Sequence, residues 1–183
     1  MADVELIRRK LKAHADFPKQ GIIFLDIFPI LQDPLAFEAL ITHFTHHIAS
    51  HTLSLTDNNK IDAVVGLDAR GFLLGPIIAL RLGASFVPVR KQGKLPGKCV
   101  QATYAKEYGV DTFEMQVDAI KPGQNVIVID DLIATGGSAK AAGELVKQQG
   151  GKTLEYLFII ELLFLKGSSQ LDAPSYSIIQ SND

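Results

Sequence analysis

The chain has 183 residues, of which 47% are hydrophobic and 21% charged, a balance that suits one compact domain with a sizeable core. Its formal net charge of -2 lacks the basic excess expected of a protein that mainly binds nucleic acid. A single cysteine excludes an internal disulfide and suits a reducing compartment, so we expect a cytoplasmic protein. We expect neither a cleavable signal nor a membrane-spanning segment, because no uncharged apolar stretch is long enough.

The first fifty residues predict two helices around an irregular segment. Apolar residues at helical spacing indicate a short helix that ends before Phe17. The stretch FPKQGIIFLDIFP, rich in proline, glycine and aromatic residues, then predicts an irregular lobe at about residues 15–35. Asp33 and Pro34 provide an N-cap and a first helical residue for the second helix, which reaches about Ser50.

Four histidines lie near the end of this second helix: His43, His46, His47 and His51. His43 and His47 are one helical turn apart, a spacing that two ligands of a metal ion can have. The first three fall opposite the apolar face on a helical wheel, however, and no acid or cysteine accompanies them in the sequence. We therefore predict a solvated helix face rather than a metal site.

From Ile61 onward, short apolar runs alternate with helix-like segments. The runs IDAVVGL, SFVPVR, NVIVID and TLEYLFII predict strands, whereas GFLLGPIIALRLG and GSAKAAGELVKQQGG predict helices. This alternation predicts an α/β fold, with a mostly parallel twisted sheet flanked by helices. Ligands of open parallel sheets bind beyond the carboxyl ends of the strands, so we look for a site there.

The stretch VIVIDDLIATGGS carries the strongest indication of chemistry. Asp130 and Asp131 end a strand predicted for residues 125–130, and adjacent like charges need water, a metal ion or a polyhydroxyl ligand between them. The backbone N–H groups of residues 134–138, at the start of a helix that begins near Gly137, can bind a phosphate. Since carboxylates accept hydrogen bonds from vicinal hydroxyls, a sugar phosphate suits both halves of the stretch.

Two other interpretations of this stretch are weaker. Acids at a strand end before an ordinary turn need no ligand, but they do not explain the glycines and the helix start together. Apolar residues followed by two aspartates also resemble a Walker B segment. The chain has no GxxxxGK[ST] motif and no GxGxxG at a strand end, which disfavours a nucleotide triphosphatase and a dinucleotide-binding protein.

With its core DDLIATGGS, the stretch resembles the diphosphoribosyl-binding motif of the type I phosphoribosyltransferases. The segments FPKQGIIFLDI, GLDARGFLLGP, VRKQGKLPG and ATYAKEYG are similar, in order and spacing, to those of the adenine-specific group of this family. The resemblance implies the type I phosphoribosyltransferase fold as a single domain over residues 1–183. It also implies a small N-terminal base-binding lobe at about residues 15–35 and a mobile lid at about residues 97–111.

The resemblance further implies a purine salvage reaction. The 5-phosphoribosyl group would pass from 5-phosphoribosyl 1-diphosphate to N9 of adenine, giving AMP and diphosphate. Positive charge grows on the ribose in such a reaction while negative charge leaves with the diphosphate, so the site needs anion stabilisers and ribose anchors. Asp130 and Asp131 are the expected anchors of the ribose hydroxyls. The residues expected to bind the 5-phosphate are Ala134, Thr135, Gly136, Gly137 and Ser138.

Basic residues at two places are expected to bind the diphosphate. Arg70 matches the diphosphate-binding arginine of the family, although a surface ion pair with Asp68 is the simpler alternative. Arg90, Lys91 and Lys94 belong to a run that is also typical of a solvated basic loop. In the family this segment can be supplied across a dimer interface, and the resemblance therefore implies a homodimer.

The resemblance assigns the remaining roles to the lid and to the N-terminal lobe. Glu107 is the expected proton-transfer group for adenine, with Tyr108 packing on the closed lid. Ile23 and Leu25 are expected to bind the adenine edge through their backbone groups, and Phe24 is expected to stack on the ring. Without the resemblance, Glu107 is an exposed loop acid and the other three are packing residues.

Mg²⁺ is the expected cofactor, held mainly by substrate oxygens and water, with no direct protein ligand expected. Two other functions remain open alongside the adenine transferase. One is a regulator that senses phosphoribosyl diphosphate without turnover, which the intact motifs and the missing DNA-binding extension disfavour. The other is a transferase for a 6-oxopurine or for orotate, which the similarity of the base-binding lobe disfavours.

Overall fold

The computed structural model describes residues 2–17, 19–105 and 110–182, and its architecture is α/β. The helices are α1 (Ala2–Lys10), α2 (Phe28–Leu31), α3 (Pro34–Ser50), α4 (Gly71–Leu82) and α5 (Gly137–Gln148). The strands are β1 (Lys12–Ala15), β2 (Ile23–Asp26), β3 (Ala63–Leu67), β4 (Ser85–Lys91), β5 (Cys99–Ala105), β6 (Val110–Gln116), β7 (Asn125–Ile133), β8 (Lys152–Leu162) and β9 (Ser175–Ser181). Among the residues described, no helix combines the length and the apolar character needed to cross a lipid bilayer.

The central sheet has the strand order β5-β6-β4-β3-β7-β8-β9. Strands β4, β3, β7, β8 and β9 run parallel to one another. Strand β6, by contrast, pairs antiparallel with both β4 and β5. The prediction of a mostly parallel sheet flanked by helices is therefore confirmed. The antiparallel hairpin at one edge was not expected, since the sequence there indicates an irregular, lid-like segment.

The chain reverses its direction of travel across the sheet between β3 and β7. From β3 it passes through α4 to β4 on one side, and from β7 it passes through α5 to β8 on the other side. Because β3 and β7 are adjacent and parallel, their carboxyl ends open a crevice between the two connections. This crevice is the place where an α/β sheet of this kind binds its ligand.

Both faces of the central strands are covered, as the alternation of their side chains requires. Val64 and Ile127 belong to one buried cluster, which includes residues of α3 and α4. Val65 and Val128 belong to a second cluster on the opposite face, which includes residues of α5. The strands therefore read as continuous apolar runs, because each face of each strand is buried.

The N-terminal segment differs from the irregular lobe that its composition predicts. Strands β1 and β2 pair antiparallel in a separate two-stranded sheet, with Lys12 opposite Asp26 and His14 opposite Phe24. Helix α1 ends at Lys10, so the chain enters β1 where the sequence predicts further helix. The prediction of α3 is confirmed, because the Asp33 side chain accepts hydrogen bonds from the backbone N–H groups that follow it.

The prediction of a solvated histidine face on α3 is wrong for two of its residues. His43 is buried, with Nδ1 2.5 Å from an Asp3 carboxylate oxygen and Nε2 2.6 Å from the Tyr176 hydroxyl. His47 Nε2 lies 3.0 Å from Glu155 Oε1, and its ring stacks on Tyr176 at 3.7 Å. Acids do accompany these histidines, but they come from α1 and β8, which a helical wheel of α3 does not display.

The buried carboxylate of Glu155 connects α3 to the sheet. Besides contacting His47, it accepts a hydrogen bond of 2.5 Å from the Thr52 hydroxyl, which is fully buried. Replacing Glu155 by alanine leaves both partners without their acceptor, and an unsatisfied buried polar group is costly. We predict that Glu155→Ala lowers the free energy of unfolding by about 2–3 kcal/mol in urea denaturation.

The matched control for this prediction is Glu144→Ala, which removes the same side chain from an exposed position on α5. Surface substitutions of this kind change stability by roughly 0.5 kcal/mol or less. Equal losses in the two variants would contradict a stabilising role for the buried Glu155 cluster.

Candidate active site

A cavity of about 200 Å³ lies at the crevice between β3 and β7. Its walls come from the start of α4, from the carboxyl end of β7 and from the turn into α5. The lining residues are Arg70, Asp130, Asp131, Leu132, Ile133, Ala134, Thr135, Gly136, Gly137, Ser138, Ala139 and Phe158. The predicted sugar phosphate residues, together with Arg70, thus lie around one cavity.

Residues 134–138 form the anion-binding side of the cavity, and we call them the phosphate loop. Strand β7 continues to Ile133 rather than ending at residue 130, so the connection from the strand to α5 is shorter than predicted, although the phosphate loop has the predicted residues. Gly136 takes a left-handed backbone conformation with φ +85°, and α5 begins at the next residue. Because glycine has no side chain to cap the helix, the first N–H groups of α5 are left for a ligand.

The two aspartates lie within β7, beside the phosphate loop. Asp131 is only 5% exposed, and its backbone N–H donates a 2.9 Å hydrogen bond to Asp130 Oδ1. Burial first, and then the negative charge of Asp131, raise the pKa of Asp130 well above its usual range. Asp130 therefore retains a proton more readily than an exposed aspartate, which reduces its repulsion of a phosphorylated ligand.

Arg70 is positioned by the turn that connects β3 to α4. Its Nε group donates a hydrogen bond to Asp131 Oδ2 in an ion pair across the cavity. The alternative of a surface pair with Asp68 is wrong, because Asp68 accepts a 2.7 Å hydrogen bond from Arg90 Nε instead. A guanidinium group carries five N–H donors, and the bond to Asp131 uses the one on Nε.

Tyr104 contacts the phosphate loop from the edge hairpin. Its hydroxyl is hydrogen-bonded to the side chain of Ser138, and burial raises the pKa of Tyr104 above its usual value. The phenol O–H donates to Asp111 Oδ2 at 3.4 Å, so the Ser138 hydroxyl is the donor in its contact with the phenol oxygen. Sequence reasoning missed this residue, since its position next to α5 depends on the packing of β5 against that helix.

A second cavity, of about 620 Å³, lies between the N-terminal sheet and the first cavity. Of the predicted base-binding residues, Phe24 lines it, and the Phe24 ring meets Phe17 edge-on at 5.2 Å between centroids. The neighbours Ile23 and Leu25 lie on the same strand, β2, and Ile23 is 52% exposed. Arg70 lines both cavities, which places them side by side.

The other predicted basic residues lie at the end of β4 and in the turn after it. Arg90 donates to Asp68 and also, at 3.1 Å, to the Lys94 carbonyl, whereas Lys91 forms an ion pair of 3.1 Å with Asp111. Arg90, Lys91 and Lys94 are not among the described residues that line the phosphate-loop cavity. The predicted proton-transfer residue Glu107 and the lid residue Tyr108 lie outside the described residues.

Sequence reasoning also missed residues that contact the site from distant parts of the chain. Phe17 and Phe28 join Phe24 in the wall of the larger cavity. Their signal is the aromatic composition of the N-terminal segment, which the sequence analysis assigned to the lobe as a whole. Gly167 and Gln170 contact the phosphate loop from the turn after β8, and this part of the sequence carries no local motif.

Comparison with known proteins gives a consistent result. The family profile described as phosphoribosyl transferase domain matches residues 31–179. The adenine phosphoribosyltransferase of Yarrowia lipolytica is 57% identical over 177 residues, which cover 97% of this chain and 95% of that protein. A crystal structure of the Saccharomyces cerevisiae enzyme, complexed with adenine and an imino-altritol bisphosphate, is 51% identical. It has a TM-score of 0.92 and covers 97% of this chain and 98% of its own.

A more distant structure has the same fold. The Giardia lamblia enzyme complexed with 9-deazaadenine is 34% identical, with a TM-score of 0.86 and 98% of both chains covered. The similarity therefore extends over nearly the whole chain, including the sheet and the N-terminal segment. The chain belongs to the type I phosphoribosyltransferase family and, within it, to the adenine phosphoribosyltransferases.

Proposed function

We propose that this protein makes AMP and diphosphate from adenine and 5-phosphoribosyl 1-diphosphate, as an enzyme of purine salvage. The observation that carries the proposal is the cavity at the crevice between β3 and β7. It places a helix N-terminus, two carboxylates and an arginine around a volume of about 200 Å³, next to a larger aromatic cavity. The helix N-terminus suits a phosphate, the carboxylates suit a diol, the arginine suits a leaving diphosphate, and the aromatic cavity suits a flat base.

The sugar phosphate binds with its 5-phosphate on the phosphate loop. The N–H groups of the loop and the partial positive charge of the α5 N-terminus stabilise that anion. The ribose hydroxyls then donate to Asp130 and Asp131, which stand directly before the loop in β7. Since both ends of the ribose ring are held, its anomeric carbon has a fixed direction relative to the base cavity.

Arg70 stabilises the leaving group. The bond between anomeric carbon and diphosphate oxygen breaks as the bond to N9 forms, so negative charge accumulates on the diphosphate. The Nη donors of Arg70 bind that oxyanion, while its bond to Asp131 fixes the direction of the guanidinium group. Arg90, Lys91 and Lys94 add positive charge to the diphosphate side when the lid closes.

Adenine binds in the aromatic cavity beneath the N-terminal sheet. Phe24 stacks on the base, and the backbone groups of Ile23 and Leu25 bind its edge. The larger cavity has room for a purine, and its shared wall at Arg70 brings the base next to the ribose. The segment at about residues 15–35 therefore acts as a base-binding lobe of the single domain.

Glu107 handles the proton of the base. Adenine must lose its N9 proton as the new bond forms, and a carboxylate close to N7 or N9 selects the tautomer that can react. The lid at about residues 97–111 carries this residue together with Tyr108, which packs on the closed lid. Closure excludes water, and this protects a positively charged sugar from hydrolysis.

The donor set suits Mg²⁺ carried on the substrate. Within the described ranges, no group of three or more histidine, cysteine, aspartate or glutamate residues is arranged to hold a metal ion. Mg²⁺ retains water and prefers phosphate oxygens, so the substrate would supply most of its ligands, and Asp130 and Asp131 would hold it indirectly through the ribose or water. When bound, the ion neutralises charge on the diphosphate.

The protein acts as a homodimer in the cytoplasm. Leu73 and Leu80 lie seven residues apart on α4, and they are 37% and 82% exposed, which supports a face covered by a second copy. A single cysteine supports a reducing compartment.

A spectrophotometric assay with phosphoribosyl diphosphate, Mg²⁺ and one base at a time tests the proposed reaction. We predict AMP formation with adenine and rates at least about a hundredfold lower with hypoxanthine, guanine or orotate, since their hydrogen-bonding edges differ from that of adenine. Comparable rates with a 6-oxopurine would favour the related transferase instead. Binding of phosphoribosyl diphosphate without turnover of any base would favour the sensing regulator.

A second prediction concerns the lid acid. Glu107→Gln should keep the affinity for phosphoribosyl diphosphate but lower kcat by about a hundredfold or more, because the amide cannot transfer the proton. Steady-state kinetics with both substrates measures the two quantities. Glu5→Gln, the same change at an exposed residue of α1, should leave both unchanged. Near-normal turnover in Glu107→Gln would remove Glu107 from the mechanism.

A third prediction concerns the metal ion. EDTA should abolish turnover, and excess MgCl₂ should restore it, because the leaving diphosphate then regains its counter-ion. Calorimetric titration with ribose 5-phosphate in the same buffers should give the same Kd within about twofold, since that ligand carries no diphosphate for the metal to bind. Full turnover in EDTA would show that the charge is neutralised by protein groups alone.

A further inference from the structure

The turn after β8 packs directly against the phosphate loop. Gly167 and Gln170 are the first and last residues of this short 3-10 turn. A Cβ atom added to Gly136 would overlap the Gly167 carbonyl oxygen, and one added to Gly167 would overlap the Ala134 carbonyl oxygen. The two backbones are therefore in contact with no space for a side chain between them.

Gln170 adds a directional contact to this packing. Its Nε2 group donates a 2.9 Å hydrogen bond to the carbonyl oxygen of Thr135, in the middle of the phosphate loop. Gln170 is not one of the described residues that line the cavity of the phosphate loop, so it contacts the loop from outside that cavity. Its effect on a ligand must therefore act through the Thr135 carbonyl.

The direction of that carbonyl determines the direction of an N–H group. The C=O of Thr135 and the N–H of Gly136 belong to one peptide unit, and in a planar trans peptide the two bonds point in opposite directions. Because the carbonyl is directed towards Gln170, the Gly136 N–H is directed away from Gln170, and Gly136 itself lines the cavity. Glycine at position 136 allows its peptide to rotate easily, so an external contact matters here.

We propose that Gln170 is a positioning residue for the phosphate loop, which fixes the Thr135–Gly136 peptide so that its N–H group points at the terminal phosphate of the sugar ligand. The inference rests on the proposed function, because it takes the 5-phosphate as the ligand of the loop. The close approach of Gly167 to the phosphate loop brings the Gln170 side chain within hydrogen-bonding distance of the Thr135 carbonyl. Loss of the contact should weaken binding of the sugar phosphate and leave the base cavity unaffected.

Gln170→Met tests the proposal, since methionine has a similar length and no charge but cannot donate the hydrogen bond. We expect the KM for phosphoribosyl diphosphate and the Kd for ribose 5-phosphate to rise by about fivefold to tenfold, the range of one neutral hydrogen bond. The KM for adenine should stay within about twofold of the wild-type value. A general structural defect would instead change both substrates and the melting temperature.

Gln148→Met is the matched control. Gln148 is also an exposed glutamine whose Nε2 donates to a backbone carbonyl, that of Gln101, at 3.0 Å, but it lies at the far end of α5. This variant should bind ribose 5-phosphate as the wild type does. Gln170→Asn, whose amide is one methylene shorter, serves as a second variant and should reproduce the effect of Gln170→Met.

Wild-type affinity for ribose 5-phosphate in both Gln170 variants would overturn the proposal, as would equal losses in Gln170→Met and Gln148→Met. The ribose 5-phosphate titration needs no turnover, so it separates this inference from the proposed reaction. A wild-type protein that forms no AMP contradicts the proposed function. A wild-type protein that forms AMP while the Gln170 variants bind normally contradicts only the role of Gln170.

Discussion

The ion pair between Arg70 and Asp131 joins two parts of the chain that are 61 residues apart. It connects the carboxyl end of β3 to that of β7, the two strands between which the chain reverses its direction across the sheet. Both partners line the cavity of the phosphate loop, and Arg70 also lines the aromatic cavity. Forming this ion pair removes the Asp131 carboxylate from water, which is unfavourable in free energy. The guanidinium group offsets this desolvation through its charge and a hydrogen bond.

The part of the site that could be predicted from sequence is the part made by consecutive residues. An apolar strand, two acids, glycines and a helix start follow one another in residues 126–138, and local geometry alone brings their polar groups to one edge of the sheet. Helices α3, α4 and α5 and strands β3, β4, β7 and β8 were predictable for a similar reason, since burial leaves periodic or continuous apolar runs. The end of β7 was placed too early, because acidic residues are unusual inside a strand and were taken as its end.

The errors share a physical cause, which is that the deciding partner lies far away in sequence. His43 and His47 lie on the polar face of a helical wheel, but Asp3, Tyr176 and Glu155 provide the hydrogen-bonding partners that allow them to leave water. Pairing with β1 makes a strand of the aromatic N-terminal segment, and the edge hairpin likewise depends on the pairing of β5 with β6. Such long-range contacts stabilise segments whose own sequence favours no particular structure. Composition and periodicity therefore do not predict the structure of these segments.

Gly136 and Gly167 face one another at very short distance. A methyl group on either residue would overlap the backbone of the other segment. The two positions are therefore linked in the changes that the chain can accept during evolution. A larger residue at one of them requires a displacement of the other segment, and that displacement would move the backbone amides of the phosphate loop. Sequence variation in the turn after β8 is thus restricted by the backbone of a loop about thirty residues earlier in the chain.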